Sequence, residues 1–592
     1  MILPFSLALA QNDTLLMPIG GGYADTFPSL IKAAAGRARG SSVSIVVVPV
    51  TYSSNASSIT EAERKLNLSD AEKRRAQLEA ACNQGVPAGK RCNVTLAPVF
   101  TRADAEDPKN VALINPDVAA VFFLGGDQTV AINALVDTPL EQALADAYQR
   151  GVLIAGTSAG LSVQSHDMIA GYQAKGGPAN GLNKDTLDLW DNANRRGLDF
   201  GITNAIMEQH FWERGRLPRL LNALAQPGVP AVGIGVDTYT GALISDGSCL
   251  EGISGLYTVA VLDAEAFGAA KKASYRQDIL SIHNVLFHLL APGDFSFDIN
   301  TRMTSLAAPP RTLRRDFDML KLPDGVGPLL LAGNLLRAAN GQTPAAVPAD
   351  SPVLKRFVEL AGGKDATIYI LAAGYASDDE ARAAADLYAK ALGTPTQTII
   401  VKADTTAPLL TDATSYGGLL VIAPDQSAIN PDWLAPVSSA WRSGKPLLLD
   451  NAAAALAGAF YSAQKPTPKP TMQQPKANTD YIQNAFIDGS TNIVKGLGLL
   501  PVTIEPRLLA DFRWGRMVAL AHEHPDLPAF GIADETALEV GHDGATVIGT
   551  NGVVALDLRD AKLSLGTNKA YVFANGLLDT FAPGEAVQPA AP

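Results

Sequence analysis

Cysteine, histidine and charge are all scarce in this sequence, and no apolar run is long enough to cross a bilayer. Only 3 residues are Cys and 7 are His. Cys82 and Cys92 flank the turn-rich loop NQGVPAGKR, so they either pair in an oxidising compartment or remain free thiols. Nothing at metal-ligand spacing surrounds any cysteine, and neither a metal nor an organic cofactor is expected. Charged residues make up 18%, with 47 Lys and Arg against 59 Asp and Glu, for a net charge of −12. That balance excludes nucleic acid as an expected partner, since no stretch supplies the basic surface phosphates need. A basic leader is missing too. MILPFSLALAQ ends like a secretory signal, yet the first basic residue is Lys32. Residues 1–13 therefore read as a signal remnant or a disordered end. The expected location is secreted or periplasmic, with the cytoplasm as the alternative.

What is present is apolar. Hydrophobic residues reach 47% over 592 positions, more than one core usually serves, so two domains are expected. TLLMPIGGG, SVSIVVVPVTY, CNVTLAPVF, AAVFFLGG and GVLIAGT read as buried strands separated by helix-period segments. This alternation predicts a mainly parallel sheet with helices on both faces, and ligands outside the carboxyl ends of its strands. The second half echoes the first in order. LLLAGNLL follows TLLMPIGGG, ATIYILAAGYAS follows SVSIVVVPVTYS, LLVIAPDQ follows FFLGGDQ with Asp425 and Gln426 under Asp127 and Gln128, GKPLLLDNAAA follows GVLIAGTSAG, and LPAFGIADETAL follows VPAVGIGVDTYT. Such echoes predict tandem duplication. The domains are drawn at 14–305 and 328–577, with a linker at 306–327 around Pro309 and Pro310 and a tail at 578–592. A Pro- and Gln-rich stretch at 463–480 reads as a surface loop.

Chemistry concentrates in the first half. Ser158 ends a buried strand within Gly156-Thr157-Ser158-Ala159-Gly160, where small neighbours permit a sharp strand–helix turn that exposes the hydroxyl. Backbone N–H groups there, with Ala159 and Gly126 as candidates, suit a developing oxyanion. His210 lies at an element boundary among polar residues and supplies the base that a serine hydroxyl requires. Arg214, Arg216 and Arg219 follow closely, either as clamps for carboxylates or as a solvated helix start. Asp237 ends another strand and is the candidate for orienting the imidazole. Gln128 closes FFLGGDQ with an amide that suits a carbonyl or carboxylate.

Four motifs in order, Gly-Gly-Asp-Gln (125–128), Gly-Thr-Ser-Ala-Gly (156–160), Gln-His-Phe with Arg-Gly-Arg (209–216) and Gly-Ile-Gly-x-Asp (233–237), resemble the peptidase family of cyanophycinase and dipeptidase E over residues 14–300. The resemblance implies a class I glutamine amidotransferase-like fold and a Ser–His–acid triad at Ser158, His210 and an acid near 237. It also implies hydrolysis of cyanophycin, a polyaspartate bearing Arg, to β-Asp-Arg dipeptides. Gln128, Glu208, Gln209, Arg214, Arg216 and Arg219 fall where the family lines its substrate cleft. The family commonly carries Asp-Glu where this chain has Asp237-Thr238.

In the second half Asn451 lies under Ser158, and Asp511 lies under His210 by sequence. An ungapped comparison puts Glu535 opposite Asp237, and Gly515 and Arg516 read as remnants of the Arg-Gly-Arg motif. Without hydroxyl or imidazole this half is expected to be a degenerate repeat standing in for a second subunit, making the chain a monomer with an internal pseudo-dimer. Two other readings stand beside the serine exopeptidase: an aspartyl or isoaspartyl dipeptidase, and a non-catalytic binder of acidic polymers. His522 and His524 are too poorly supported by other ligands to predict a metal site.

Overall fold

The computed structural model describes residues 13–265, 271–310, 316–337, 345–402, 415–466 and 479–588. All but the last residue of the signal remnant expected at 1–13, and most of the loop expected at 463–480, lie outside them.

The apolar runs become strands buried on both faces. β1 (Leu15–Ile19), β4 (Val118–Phe123) and β5 (Leu153–Thr157) are buried at every position. With β2 (Ser42–Val48) and β3 (Arg91–Leu96) they run parallel in the order β3-β2-β4-β5-β1. Antiparallel strands continue the sheet, beginning with Thr240–Ser245 beside β1. Uninterrupted Val and Ile runs have this cause: each face needs covering. Helices α1 (Phe27–Arg37) and α2 (Glu61–Gly85) pack on one face through Leu30, Ile31, Ala71 and Leu78. The opposite face carries helices Gln128–Leu135 and Pro139–Gln149 together with strands of a second sheet. Cys82 near the end of α2 is disulfide-bonded to Cys92 in β3, with Cα atoms 5.9 Å apart.

Strands of the second half adopt the same order. Thr396–Val401, Ile368–Ala373, Gly418–Ala423, Leu447–Asn451 and Leu329–Ala332 run parallel, and Thr536–Gly541 follows antiparallel. A 12-stranded sheet, largely antiparallel, joins the halves. Its seam is Ile279–Leu290 against Tyr571–Phe581, with Phe287 opposite Gly576 and Val285 opposite Leu578. Asn284 and Asn575 both hold positive φ there, at 61° and 63°.

Two boundaries differ from expectation. The chain from 578 is not a loose tail: the seam strand runs to Phe581, Val587 is 2% exposed, and Glu585 meets His283 Nε2 at 2.8 Å. The strand had to be long enough to cover its partner across the seam. Within 306–327, Phe317, Leu320 and Leu322 enter the core of the second half, so apolar burial fastens most of the expected linker.

Candidate active site

Three strand ends converge. Ser158 follows β5, the glycines 20–22 follow β1, and Gly125 and Gly126 follow β4, so the site lies at the carboxyl edge of the parallel strands. Ser158 adopts φ 55° and ψ −118° before the short helix Ala159–Ser162, a backbone region costly for a residue with a Cβ. Its N–H is anchored on Ile19 O at 2.9 Å. Gly156 is required by this turn, because a Cβ there would sit 2.1 Å from Gly160 O.

The imidazole arrives from the other sheet. Strand Ala205–Glu208 delivers His210, whose N–H donates to Gly20 O at 2.7 Å and whose φ is 44°. The Gly-Gly-Gly run after β1 makes room, since a Cβ on Gly21 would meet His210 Cε1 at 2.2 Å. Ser158 Oγ lies 2.9 Å from His210 Nε2, and a second acceptor, Gln209 Oε1, is 3.3 Å away. On the far side of the ring, Nδ1 is 2.7 Å from Glu213 Oε2 and 2.7 Å from Thr238 Oγ1. Thr238 donates its hydroxyl hydrogen to Glu213 Oε2 at 2.5 Å. Ser158, His210 and Glu213 thus form one hydrogen-bonded line.

Glu213 was not singled out from sequence, and Asp237 does not take the place expected of it. Asp237 accepts from the N–H groups of Trp212 (3.1 Å) and Glu213 (3.3 Å) and from Gln483 Nε2 (2.8 Å), and it does not touch the imidazole. The chain turns at His210 so that the side chain three residues later folds back onto the ring. Asp237 fastens that turn. The signal in the sequence is Thr238: with no carboxylate at position 238, the nearest one after the histidine is Glu213.

The electrostatics suit proton transfer. Burial lowers the His210 pKa to about 4, outweighing the Glu213 hydrogen bond, and keeps the ring neutral. For Glu213, burial raises the pKa but hydrogen bonds from His210 and Thr238 prevail and hold it at about 2. Burial pushes Asp237 up to about 7.

Most of the expected substrate ligands have structural partners instead. Arg219 donates to Glu208 at 2.7 and 2.9 Å, and Arg216 at 3.2 Å. Glu208 is 1% exposed and Arg219 2%, so two guanidinium groups neutralise a buried carboxylate and cannot reach a ligand. Burial raises the Glu208 pKa, but Arg219 and Arg216 reverse this and lower it. Arg216 also donates to Gln209 O at 2.8 Å, which fixes the residue before His210. Gln128 donates to the carbonyls of Ile169 (3.2 Å) and Ala170 (2.7 Å), so its amide braces a neighbouring segment. Gln209 does face the serine. Arg214 differs from the other two in making no ion pair with Glu208, and its buried Nε, like that of Arg216, has no hydrogen-bond partner. Of the oxyanion candidates, Ala159 directly follows Ser158, whereas Gly126 faces Thr51, whose carbonyl leaves no room for a Cβ. Gly125 lies nearer the serine: a Cβ there would stand 3.0 Å from Ser158 Cβ.

The equivalent place in the second half has the same backbone and other side chains. Asn451 has φ 54° and ψ −121°. Arg507, not Asp511, occupies the position of His210. Asp511 N donates to Arg507 O as Arg214 N does to His210 O, both at 3.1 Å, and Arg513 N donates to Leu508 O as Arg216 N does to Phe211 O. By the same register Arg516 matches Arg219 and Phe512 rather than Gly515 matches Gly215, while one residue out of that register Glu535 matches Tyr239 rather than Asp237, with φ 57° and 60° and carbonyls that accept from Thr550 N and Leu256 N. Arg507 carries no chemical echo of the histidine, so this equivalence is invisible in the sequence. His522 contacts Ser564 O at 3.1 Å, while His524 stacks on Phe460.

No protein-family model matches the chain. Over 177 residues, 30% of the chain, it is 35% identical to a cyanophycinase of Geminocystis herdmanii and spans 61% of that protein. A cyanophycinase of Trichormus variabilis is 33% identical over 178 residues, 56% of its length, and one of Synechococcus elongatus 32% over 200 residues, 58% of its length. The chain therefore spans less than two thirds of each of these relatives. Among solved structures, a peptidase from an acI-B1 Actinobacterium is 22% identical, covers 42% of this chain and 91% of its own, and has a TM-score of 0.31. Over about a third of its length, the chain is thus similar to curated cyanophycinases.

Proposed function

We propose that the chain is a serine-type exopeptidase that hydrolyses cyanophycin to β-Asp-Arg dipeptides, with Ser158 as nucleophile, His210 as general base and Glu213 as the orienting acid. The observation that carries this is the line Ser158 Oγ–His210 Nε2–Nδ1–Glu213 Oε2, at 2.9 and 2.7 Å. Ser158 Oγ forms a bond to the scissile carbonyl carbon as its proton passes to Nε2. The amine then leaves with that proton, and water repeats the sequence to free the acid. Glu213 and Thr238 keep the other proton on Nδ1, so Nε2 presents a lone pair to the serine. The Ala159 N–H, with Gly125 and Gly126 alongside, is proposed to meet the oxyanion. Arg214, whose Nε lacks a partner, is the arginine proposed to bind an aspartate carboxylate, with Gln209 beside it.

The second half is, in this reading, a tandem copy that has lost catalysis and fills the place of a second subunit. Matching strand orders and the paired backbone angles at Ser158 and Asn451 support it. The chain would then be a monomer, and sedimentation should give about one chain mass. The Cys82–Cys92 disulfide supports a secreted or periplasmic location.

The deciding experiment incubates the protein with cyanophycin and follows β-Asp-Arg. Release by the wild type and none by Ser158→Ala is expected, and equal release by both would reject the mechanism. Cleavage confined to short β-aspartyl peptides would favour the dipeptidase reading. Binding of polymer without Ser158 labelling by a fluorophosphonate would favour a binder.

A further inference from the structure

The acid side of the site is not built from the first half alone. Asp237, which fixes the turn carrying Glu213, has one oxygen occupied by the N–H groups of Trp212 and Glu213. Its other oxygen accepts from Gln483, a fully buried residue of the second half. The same amide nitrogen lies 3.4 Å from Thr238 O. Its two hydrogens thus address the two consecutive residues that support Glu213 and His210. Neighbouring contacts make the approach rigid. Phe486 stacks on Trp212 with ring centroids 4.5 Å apart, and Asn484 Oδ1 accepts from Tyr257 OH at 3.0 Å. A buried carboxylate hydrogen-bonded at both oxygens is held more tightly than one bonded at a single oxygen. Glu213 and Thr238 both need sub-ångström placement to share Nδ1, and both are tied to this clamp.

We infer that Gln483 is a positioning residue for the reaction: reaching across from the second half, its amide locks Asp237 and the Thr238 backbone and so holds Glu213 and Thr238 against His210 Nδ1. This rests on the serine mechanism proposed above, and it gives the second half a part in catalysis without any reacting group of its own.

The test uses the full chain with Gln483→Met, which keeps length and apolar packing but removes both donors. Three readouts apply: the rate of Ser158 phosphonylation by a fluorophosphonate, kcat and KM on cyanophycin, and the downfield proton resonance of His210 Nδ1–H. Phosphonylation and kcat should fall roughly 10- to 100-fold with KM little changed, the scale of a lost hydrogen bond to a buried charged group. The Nδ1–H resonance should move or broaden. Wild-type labelling rate and an unmoved resonance in a folded Gln483→Met protein would overturn the inference. Should that variant fail to fold, Gln483→Asn, too short to span the gap, replaces it with the same two outcomes. Absence of Ser158 labelling in the wild type would instead reject the serine mechanism. The resonance would still report whether Gln483 positions the imidazole.

Discussion

The turns at Ser158 and Asn451 agree within 3° in both backbone angles, yet one presents a hydroxyl to an imidazole and the other an amide whose oxygen is buried without a hydrogen-bond partner. Buried acid–arginine contacts recur likewise. Glu208 binds Arg216 and Arg219, and Glu505 binds Arg513. What is common to the two regions is therefore the strained turn and the buried acid behind it, and what differs is the reacting pair. The strain is a property of how the strand meets its helix in this fold, and asparagine tolerates positive φ better than most residues. Arg507, where the first half has histidine, is held by Asp511 at 2.8 and 3.0 Å. On the proposed mechanism catalysis and architecture are separable, and that separation can be tested from either side.

The largest effect is expected from making the first turn like the second. Ser158→Asn should keep the fold, since the same backbone angles already carry asparagine at 451. It should reduce turnover by about 10⁶-fold, the scale seen when a nucleophile is removed. Thermal unfolding and dipeptide release measured together check both halves of the statement, and a large loss of stability would mean the two turns are not equivalent. Next in size is Glu213→Gln, expected to cost roughly 10⁴-fold in kcat, as for the orienting acid of a triad. Because Thr238 Oγ1 also lies 2.7 Å from Nδ1, adding Thr238→Glu to that variant should restore a carboxylate and recover a substantial part of the rate. No recovery in a folded double variant would show that position 238 cannot serve the imidazole.

Much of this was legible beforehand. Apolar runs ending in glycine located β1, β4 and β5 and the edge where the site lies, and the small residues around Ser158 identified its turn. His210 was legible because a base was required and few histidines were available. The acid was not, since its identity depends on the positive φ of His210, which returns Glu213 to the ring. Within the local sequence Glu213 looked like one member of a charged run. Arg216 and Arg219 misled for a related reason. Spaced as on a solvated helix start, they are buried by Glu208 from a neighbouring strand, a contact no local pattern encodes. Gln128 failed similarly, through carbonyls contributed by a distant strand.

The buried acids give a smaller, energetic contrast. Glu208→Gln leaves two enclosed guanidinium groups poorly compensated and should destabilise by about 3–5 kcal/mol. Glu505 has one arginine and the Ser462 hydroxyl at 2.7 Å as partners, so Glu505→Gln should cost less. Denaturant unfolding of the two variants would rank them, and the reverse order would mean that Arg513, also held by Asp511, depends on Glu505 more than its geometry indicates.

The subtlest difference concerns pH, because only the first half has a titrating base in this place. His210 must be neutral for Nε2 to accept the serine proton. Burial depresses its pKa from an ordinary 6.5 to about 4, against the pull of Glu213. A lowered base pKa means the active form persists as pH falls and is lost only on passing through the lowered value. The acidic limb of kcat/KM should therefore lie near pH 4, well below 6.5, with Glu213 still ionised there because its own pKa is held at about 2. Arg507 cannot titrate in this range, so any Ser158-independent residual activity should show no such limb. A limb at or above pH 6.5 would mean that water reaches the imidazole in the free enzyme and that the ring is less enclosed than the glycines at 20–22 and the turn at Asp237 make it.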